Sequence, residues 1–163
     1  MNIKFIKSEN FNERKKDINT VVIHYTDTMN ITDAINILCD KKKEVSAHYA
    51  IDITGDIYNL VSEDKRAWHA GISNLYDETD VNSISIGIEL QNKGKRFGYH
   101  KYPDEQINSL IELLKDINTR HAIKYYVGHD DIAPDRKIDP GSLFPWEVLK
   151  EHKFNNPFKK FHK

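Results

Sequence analysis

The chain has 163 residues, of which 39% are hydrophobic and 30% charged, and its formal net charge is −1. This length suits one domain with a proper core, and the balanced charge gives no indication of nucleic acid or an anionic surface as a partner. A single cysteine, Cys39, excludes an internal disulfide scaffold and a zinc site made of four cysteines. No stretch reaches the roughly 20 apolar residues of a membrane span. We expect one globular domain that is monomeric and does not cross a membrane.

Residues 1–18 are polar and mixed in charge, and we expect a loosely packed lead-in to a core over about 20–150. They never sustain the apolar run of roughly 7–15 residues that a signal peptide needs. We therefore expect a cytoplasmic protein if Met1 is the native start, and a periplasmic one if an export signal was trimmed or lies outside this chain. The basic tail, 153–163, is expected to be a frayed terminus rather than a wall-binding segment.

The first predicted elements are a strand and a helix. Thr20–Tyr25 is a short, β-branched, apolar run that indicates a buried strand. Residues 32–43 repeat apolar side chains at helical spacing and predict a helix, with Thr32 or Asn30 as its N-cap. The single cysteine falls on this helix, and we expect it to be in the core.

A hairpin and a second long strand come next. Residues 48–53 and 57–61 flank a turn at Gly55 and predict a hairpin. Residues 83–91 alternate an apolar set, Ile84, Ile86, Ile88 and Leu90, with a small or polar set, Ser83, Ser85, Gly87 and Glu89. Successive side chains of a strand point to opposite faces, so the second face of this strand should look at something other than core.

The second half of the chain predicts two helices and one more strand. Pro103 begins a helix that runs to about His121, with apolar residues at i, i+3, i+4, i+7 and i+10. Residues 125–128 predict a short strand, and a last helix starts near Phe144. The sequence thus predicts a mixed α/β fold, with a single central mixed sheet of about five to six strands flanked by about three helices.

The loop over 127–141 contains the most informative residues for chemistry. It offers His129 and Asp139 in a Pro/Gly-rich segment, and His24 lies in the predicted strand 20–25. Two imidazoles and one carboxylate leave one position of a tetrahedral zinc open, as in catalytic sites. Any one histidine could instead be a surface residue, but the rigid turn that follows Asp139 favours a fixed partner for its carboxylate. We expect one Zn²⁺ per chain.

Two charged residues are candidates for catalysis beside this metal. Glu89 lies on the polar face of its strand, where it could form a salt bridge or act as a general base on a zinc-activated water. Lys137 could be a solvated loop lysine or could stabilise a developing oxyanion. The segment 66–73 suits the floor of a groove, although its spacing alone favours Trp68 at the edge of the core and His69 bonded to backbone.

Five segments between Thr20 and Leu149 together carry a family resemblance. They are Val21-Val-Ile-His-Tyr-Thr26, Ser46-Ala-His48, Arg66-Ala-Trp-His-Ala-Gly-Ile-Ser73, Ser85-Ile-Gly-Ile-Glu-Leu90 and His129-Asp-Asp-Ile-Ala-Pro-Asp-Arg-Lys-Ile-Asp-Pro-Gly141. In this order they resemble the type-2 N-acetylmuramoyl-L-alanine amidases, a zinc family that includes phage amidases and the peptidoglycan recognition proteins. The likeness leans toward the bacterial AmiD/AmpD branch.

The resemblance implies a fold like that of the peptidoglycan recognition proteins and a complete set of site residues. The implied set is His24, His129 and Asp139 as zinc ligands, Glu89 and Lys137 as the catalytic pair, and Arg66, Trp68, His69 and Asn82 as substrate-binding residues. The phage branch has a tyrosine where this chain has Ala47, so the base role should fall to Glu89.

The implied reaction is hydrolysis of the amide between the lactyl group of (1,6-anhydro-)N-acetylmuramic acid and L-alanine of the stem peptide, in peptidoglycan turnover or recycling. Peptidoglycan fragments or muropeptides are then the partners. The alternatives are a non-catalytic peptidoglycan-binding module and a phage endolysin. Because all three metal ligands and both catalytic residues remain in this chain, the resemblance favours an enzyme.

Overall fold

A computed structural model of the chain describes residues 1–160. The eight strands are β1 (Ile3–Phe5), β2 (Phe11–Glu13), β3 (Thr20–Tyr25), β4 (Tyr49–Ile51), β5 (Ile57–Asn59), β6 (Lys65–Ala67), β7 (Ser85–Leu90) and β8 (Tyr125–Gly128). The α-helices are α1 (Ile31–Cys39), α2 (Val81–Ile84), α3 (Gly94–Phe97), α4 (Asp104–Asn118), α5 (His129–Ile132) and α6 (Trp146–Glu151). A single 3₁₀ turn, Lys41–Lys43, follows α1.

Six strands form one mixed sheet in the order β1-β5-β4-β7-β3-β8. The β4–β5 pair is antiparallel, and the other pairs of this sheet are parallel. The predicted mixed α/β fold with one central sheet is therefore confirmed. The three predicted helices correspond to α1, α4 and α6, and the structure adds three helices of four residues each.

The centre of the sheet is buried on both faces, which explains its apolar sequence. Every residue of β3 except Tyr25 is buried, and β7 is buried except at Glu89. Helix α4 covers one face with an apolar stripe that includes Leu110, Leu114 and Ile117, each fully buried. On the opposite face of the sheet, β7 carries the small and polar residues of its alternating pattern, namely Ser85, Gly87 and Glu89.

Helix α1 is shorter than predicted. Asn30 is its N-cap, since the backbone N–H of Asp33 donates to Asn30 Oδ1 at 2.9 Å. The helix ends at Cys39 because Asp40 adopts an extended conformation, and the chain continues as the 3₁₀ turn. Cys39 is half-buried and packs against a small core cluster that includes Leu38 and Ala50, so it lies at the edge of the core.

The lead-in, residues 1–18, is not loosely packed, and that expectation is corrected. β1 pairs with β5 in the main sheet, and β2 pairs with β6 in a separate two-stranded sheet. The guanidinium of Arg14 donates to backbone carbonyls of Glu63, Lys65, Asn82, Ser83 and Ser85. A polar composition concealed these contacts because the partners of Arg14 are carbonyl oxygens, which sequence patterns do not reveal.

The tail folds back onto the domain as far as the structure describes it. Phe154 is buried in the main core. The ammonium of Lys159 lies 3.1 Å from Asp130 Oδ2 and 2.9 Å from Asp131 Oδ1, beside the start of α5. Residues 161–163, the end of the predicted basic tail, lie outside the described residues. Within residues 1–160, no helix is long and apolar enough to cross a membrane.

A partly buried ion cluster joins the β5–β6 connection to the end of α4. Glu63 accepts hydrogen bonds from Tyr49 at 2.7 Å and from Arg120 at 2.8 and 3.1 Å, and it lies 2.7 Å from His121 Nε2. Burial alone would raise the pKa of Glu63, but the contacts with Arg120, Tyr49 and His121 outweigh it and lower the pKa to about 2.

Candidate metal centre and active site

The three predicted metal ligands meet at one edge of the sheet. His24 lies near the end of β3, and His129 directly follows the neighbouring parallel strand β8. Their Nδ1 atoms are 2.9 Å apart, and Asp139 Oδ2 lies 3.2 Å from His24 Nδ1 and 3.3 Å from His129 Nδ1. All three residues are buried. The structure therefore brings together residues that are 105 and 115 positions apart in sequence.

The spacing and chemistry of these atoms fit a zinc ion. Ligands roughly 2.0–2.1 Å from zinc in a tetrahedron are separated by roughly 3.3 Å, close to the distances found. His129 Nε2 lies 3.0 Å from the carbonyl oxygen of Ala70, which can only accept, so the imidazole keeps its proton on Nε2. His129 Nδ1 and Asp139 Oδ2 therefore both offer lone pairs, and a cation is the partner that satisfies both.

The charges of the ligand side chains suit a metal as well. Burial and the neighbouring His129 lower the pKa of His24 to about 4, so this imidazole is neutral at neutral pH. Burial would raise the pKa of Asp139, but its contacts with His129 and His24 outweigh burial and hold that pKa below its ordinary value. Neutral imidazole and ionised carboxylate are the forms that bind zinc.

The loop that carries Asp139 is held in place by tyrosine hydroxyls. Tyr99 and Tyr102 each donate a hydrogen bond of 2.7 Å to the carbonyl oxygen of Pro140. The backbone N–H of Asp130 donates to the carbonyl oxygen of Asp139 at 2.9 Å. These contacts fix the carboxylate beside the two imidazoles without a helix or strand at that position.

Glu89 lies beside His24 and has no ion-pair partner. Its Cα is paired with that of His24 across the parallel strands β3 and β7. Glu89 Oε2 is shielded from solvent and has no hydrogen-bond partner among the described residues. Burial raises the pKa of Glu89 well above its ordinary value, and the nearby charge of Asp139 adds to this, while Lys137 opposes it. The absence of a salt bridge within residues 1–160 favours the functional interpretation of this carboxylate.

A cavity of about 470 Å³ is lined by the three predicted metal ligands, by Glu89 and by Lys137. Within residues 1–160, the ammonium of Lys137 has no hydrogen-bond or ion-pair partner. Four cationic side chains line this cavity, namely Lys95, Arg96, Arg136 and Lys137. Arg96 is paired with Asp27, at 3.2 Å between Nε and Oδ2. A larger groove, of about 720 Å³, is formed partly by α6 and the tail and includes no metal ligand. The lining of the first cavity also includes the carboxylates of Asp27, Glu89 and Asp139, and the excess of basic over acidic groups suits an anionic substrate.

Of the four predicted groove residues, only His69 lines this cavity. Arg66 is paired with Asp80 at 2.7 Å, and the indole N–H of Trp68 donates to Asn12 at 3.0 Å. Asn82 is buried, and its Oδ1 accepts from the backbone N–H groups of His69 and Ala70. The predicted set is thus split between the metal centre and the neighbouring surface.

Three residues near the metal ligands were not identified by the sequence analysis. Arg136 donates at 2.8 Å to the carbonyl oxygens of Ala70 and Ile72. Ser85 Oγ lies 3.1 Å from His69 Nε2, and Gly87 leaves room for the ring of His69. The sequence did contain a signal for Ser85 and Gly87, because the alternation of small residues in β7 predicted that their face of the strand contacts something other than the core.

Comparisons with known proteins place the chain in a family. A sequence profile described as N-acetylmuramoyl-L-alanine amidase matches residues 14–142. The chain belongs to this family. It is 43% identical to the N-acetylmuramoyl-L-alanine amidase AmiD of Escherichia coli, over 82% of this chain and 52% of that protein. It is 35% identical to the 1,6-anhydro-N-acetylmuramyl-L-alanine amidase AmpD of Haemophilus influenzae, over 87% of each.

A solved structure extends the likeness to the fold. The complex of E. coli AmiD with the substrate anhydro-N-acetylmuramic acid-L-Ala-D-γ-Glu-L-Lys superimposes with a TM-score of 0.78 and 40% identity, covering 85% of this chain and 58% of that one. The chain therefore spans about half the length of AmiD and most of the length of AmpD. The predicted membership of the AmiD/AmpD-like amidases is confirmed.

Proposed function

We propose that this chain is a zinc-dependent N-acetylmuramoyl-L-alanine amidase. The observation that carries the proposal is a buried His-His-Asp cluster next to a shielded carboxylate without a partner, all in one cationic cavity. Membership of the amidase family supports the same reaction. The scissile bond is the amide between the lactyl group of the muramic acid and L-alanine of the stem peptide.

His24, His129 and Asp139 would hold one zinc ion per chain. When bound, zinc supplies Lewis-acid activation of a water molecule and of the scissile carbonyl. The two imidazoles are neutral ligands and the carboxylate carries one negative charge, so the ion keeps a net positive charge toward the substrate.

Glu89 acts as the general base and then as the general acid. Its shielded oxygen has no competing hydrogen bond, so it is free to accept the proton of the attacking water. Burial raises the pKa of Glu89, which makes its carboxylate a stronger base toward this proton, and the proton then passes to the departing alanine nitrogen. Lys137, with an unpartnered ammonium in the same cavity, donates to the oxyanion that develops on the lactyl carbonyl.

The cationic cavity lining suits the carboxylates of a stem peptide. Lys95 and Arg136 extend the positive lining away from Lys137. Arg66 and Trp68 stay candidates for contacts with the substrate because both side chains are only partly buried. We propose that the ligands are peptidoglycan fragments, and that the chain acts as a monomer in peptidoglycan turnover or recycling.

The test is mass spectrometry of products from two substrates, a 1,6-anhydromuramoyl tripeptide and polymeric peptidoglycan. Each is incubated with the zinc-loaded protein, with a chelator, and with the protein reloaded after chelation. Release of free stem peptide that is lost with chelator and restored with zinc supports the proposal. Release from the anhydro substrate alone indicates a recycling enzyme, and release from both indicates an enzyme that also acts on wall polymer. No release from either, with zinc bound, overturns the proposal in favour of a binding module.

A further inference from the structure

The two-residue segment His69–Ala70 contacts the outer nitrogen of both metal-binding histidines. His129 Nε2 lies 3.0 Å from the carbonyl oxygen of Ala70, and His24 Nε2 lies 3.0 Å from His69 Nδ1. The first contact has an obvious direction because a carbonyl only accepts. The second joins two imidazoles, either of which could donate. Which nitrogen of His24 is free to bind metal depends on the direction of this hydrogen bond.

The direction follows from the next two contacts along the chain of hydrogen bonds. Ser85 Oγ lies 2.6 Å from the carbonyl oxygen of Val81, so the single hydroxyl proton of Ser85 is donated there. Ser85 Oγ, 3.1 Å from His69 Nε2, must then accept, and His69 carries its proton on Nε2. A neutral imidazole protonated at Nε2 is an acceptor at Nδ1, so the donor in the His24–His69 pair is His24 Nε2. His24 Nδ1 is left bare, facing Asp139.

We propose that His69 and Ser85 are positioning residues that hold His24 in the Nδ1-ligating tautomer. The proposal rests on the zinc site proposed above. His69 was implied as a substrate-binding residue, but the residue is only 6% exposed and both of its ring nitrogens have protein partners. With Ala70 fixing the tautomer of His129, all three ligand atoms present lone pairs to one point. Such partners of metal-binding histidines typically contribute a factor of 10–100 in metal affinity.

The arrangement of the backbone supports this role. Asn82 Oδ1 accepts from the backbone N–H groups of His69 and Ala70, at 3.1 and 2.8 Å. One buried amide therefore fixes the segment that orients both imidazoles. Gly87 has no side chain, and the ring of His69 occupies the space where a Cβ would stand. The small face of β7 therefore gives His69 both the space and the acceptor that its position requires.

The experiment measures zinc affinity of the full chain by competition with a chromogenic chelator. Ser85→Ala removes the acceptor for His69 Nε2, and His69→Phe removes the acceptor for His24. We expect both to weaken zinc binding by about 10-fold or more. His69→Asn can place an oxygen near the position of Nδ1 and should bind zinc close to wild type. Ser8→Ala is the control, because Ser8 is an equally buried serine whose hydroxyl donates to the carbonyl oxygen of Leu38 and to none of the metal-site residues.

A spectroscopic readout distinguishes tautomer control from a loss of packing. In the zinc-free protein, ¹⁵N shifts of the wild-type His24 ring should report a proton on Nε2, and Ser85→Ala should shift population toward Nδ1–H. Unchanged zinc affinity and unchanged tautomer in both Ser85→Ala and His69→Phe would overturn the proposal, as would failure of His69→Asn to bind better than His69→Phe. A wild-type chain that binds no zinc would instead overturn the proposed function.

Discussion

Gly87→Ala is the substitution that most directly tests the packing between β7 and the metal centre. A Cβ at this position would lie 2.4, 2.6 and 2.7 Å from Cγ, Cδ2 and Nδ1 of His69. Ordinary contacts between such atoms are roughly 3.5–4.0 Å. The ring must therefore retreat by about 1 Å, a displacement large enough to disrupt its 3.0 Å hydrogen bond with His24.

The expected result has two parts. Overpacking a buried site typically costs about 1–3 kcal/mol, so urea unfolding of the zinc-free protein should show a loss of that size. The broken contact with His24 should also weaken zinc binding by about 10-fold to 100-fold in a chelator competition. Both effects come from one added methyl group that touches neither the metal nor the substrate.

The matched control is Gly98→Ala. Gly98 has a φ of 113°, which strains any other residue, but a Cβ there would meet no atom within 4 Å. This variant should lose stability and keep wild-type zinc affinity. If Gly87→Ala retained both its stability and its zinc affinity, the close approach of His69 to β7 would be refuted as the basis of this reasoning.

Three further substitutions test other parts of the structure. Glu89→Gln should keep zinc stoichiometry and lower kcat by about 10²-fold to 10⁴-fold, since it removes only the proton acceptor; turnover near wild type would exclude Glu89 as the base. Glu63→Gln should lower the free energy of unfolding by about 2–3 kcal/mol at pH 7. Because the folded-state pKa of Glu63 is lowered to about 2, its contribution is complete above the unfolded pKa of about 4.5 and is lost as pH falls through 2. The two unfolding curves should therefore converge toward pH 2, and a constant gap would contradict the assigned cluster. Lys159→Met should destabilise the fold by about 1–3 kcal/mol, because Asp130 and Asp131 lose the ammonium that bridges them; an unchanged urea midpoint would mean that the tail does not stabilise this corner.

The parts of the fold that depend on local patterns could be predicted from the sequence. β3 and β8 were predicted with the bounds that the structure has, because buried parallel strands are apolar on both faces. The alternation in residues 83–91 predicted a strand with a polar face, and β7 has this face. The first two residues of the predicted range, 83 and 84, belong to α2 instead. The three side chains of the candidate metal site were predicted to meet from residue type and loop composition, and the structure brings them together; the resemblance to the amidase family implied the same set.

The parts that depend on backbone acceptors could not be predicted. Arg14 and Arg136 donate to carbonyl oxygens, and every residue has such an acceptor, so no sequence pattern identifies the partners. For His69, the family resemblance implied a substrate-binding role, and no sequence pattern indicated its hydrogen-bond partners. Its actual partners, His24 and Ser85, are 45 and 16 residues away in sequence and meet it only in the folded sheet.

The central claim is zinc-dependent hydrolysis of the lactyl–alanine amide, and isotope incorporation tests it most directly. The zinc-loaded protein is incubated with a 1,6-anhydromuramoyl tripeptide in H₂¹⁸O, and the products are analysed by mass spectrometry. We expect one ¹⁸O in the lactyl carboxylate, an unlabelled peptide with a free alanine amine, and no reaction after chelation. Cleavage within the peptide or the sugar, or undiminished cleavage after complete removal of zinc, would contradict the claim.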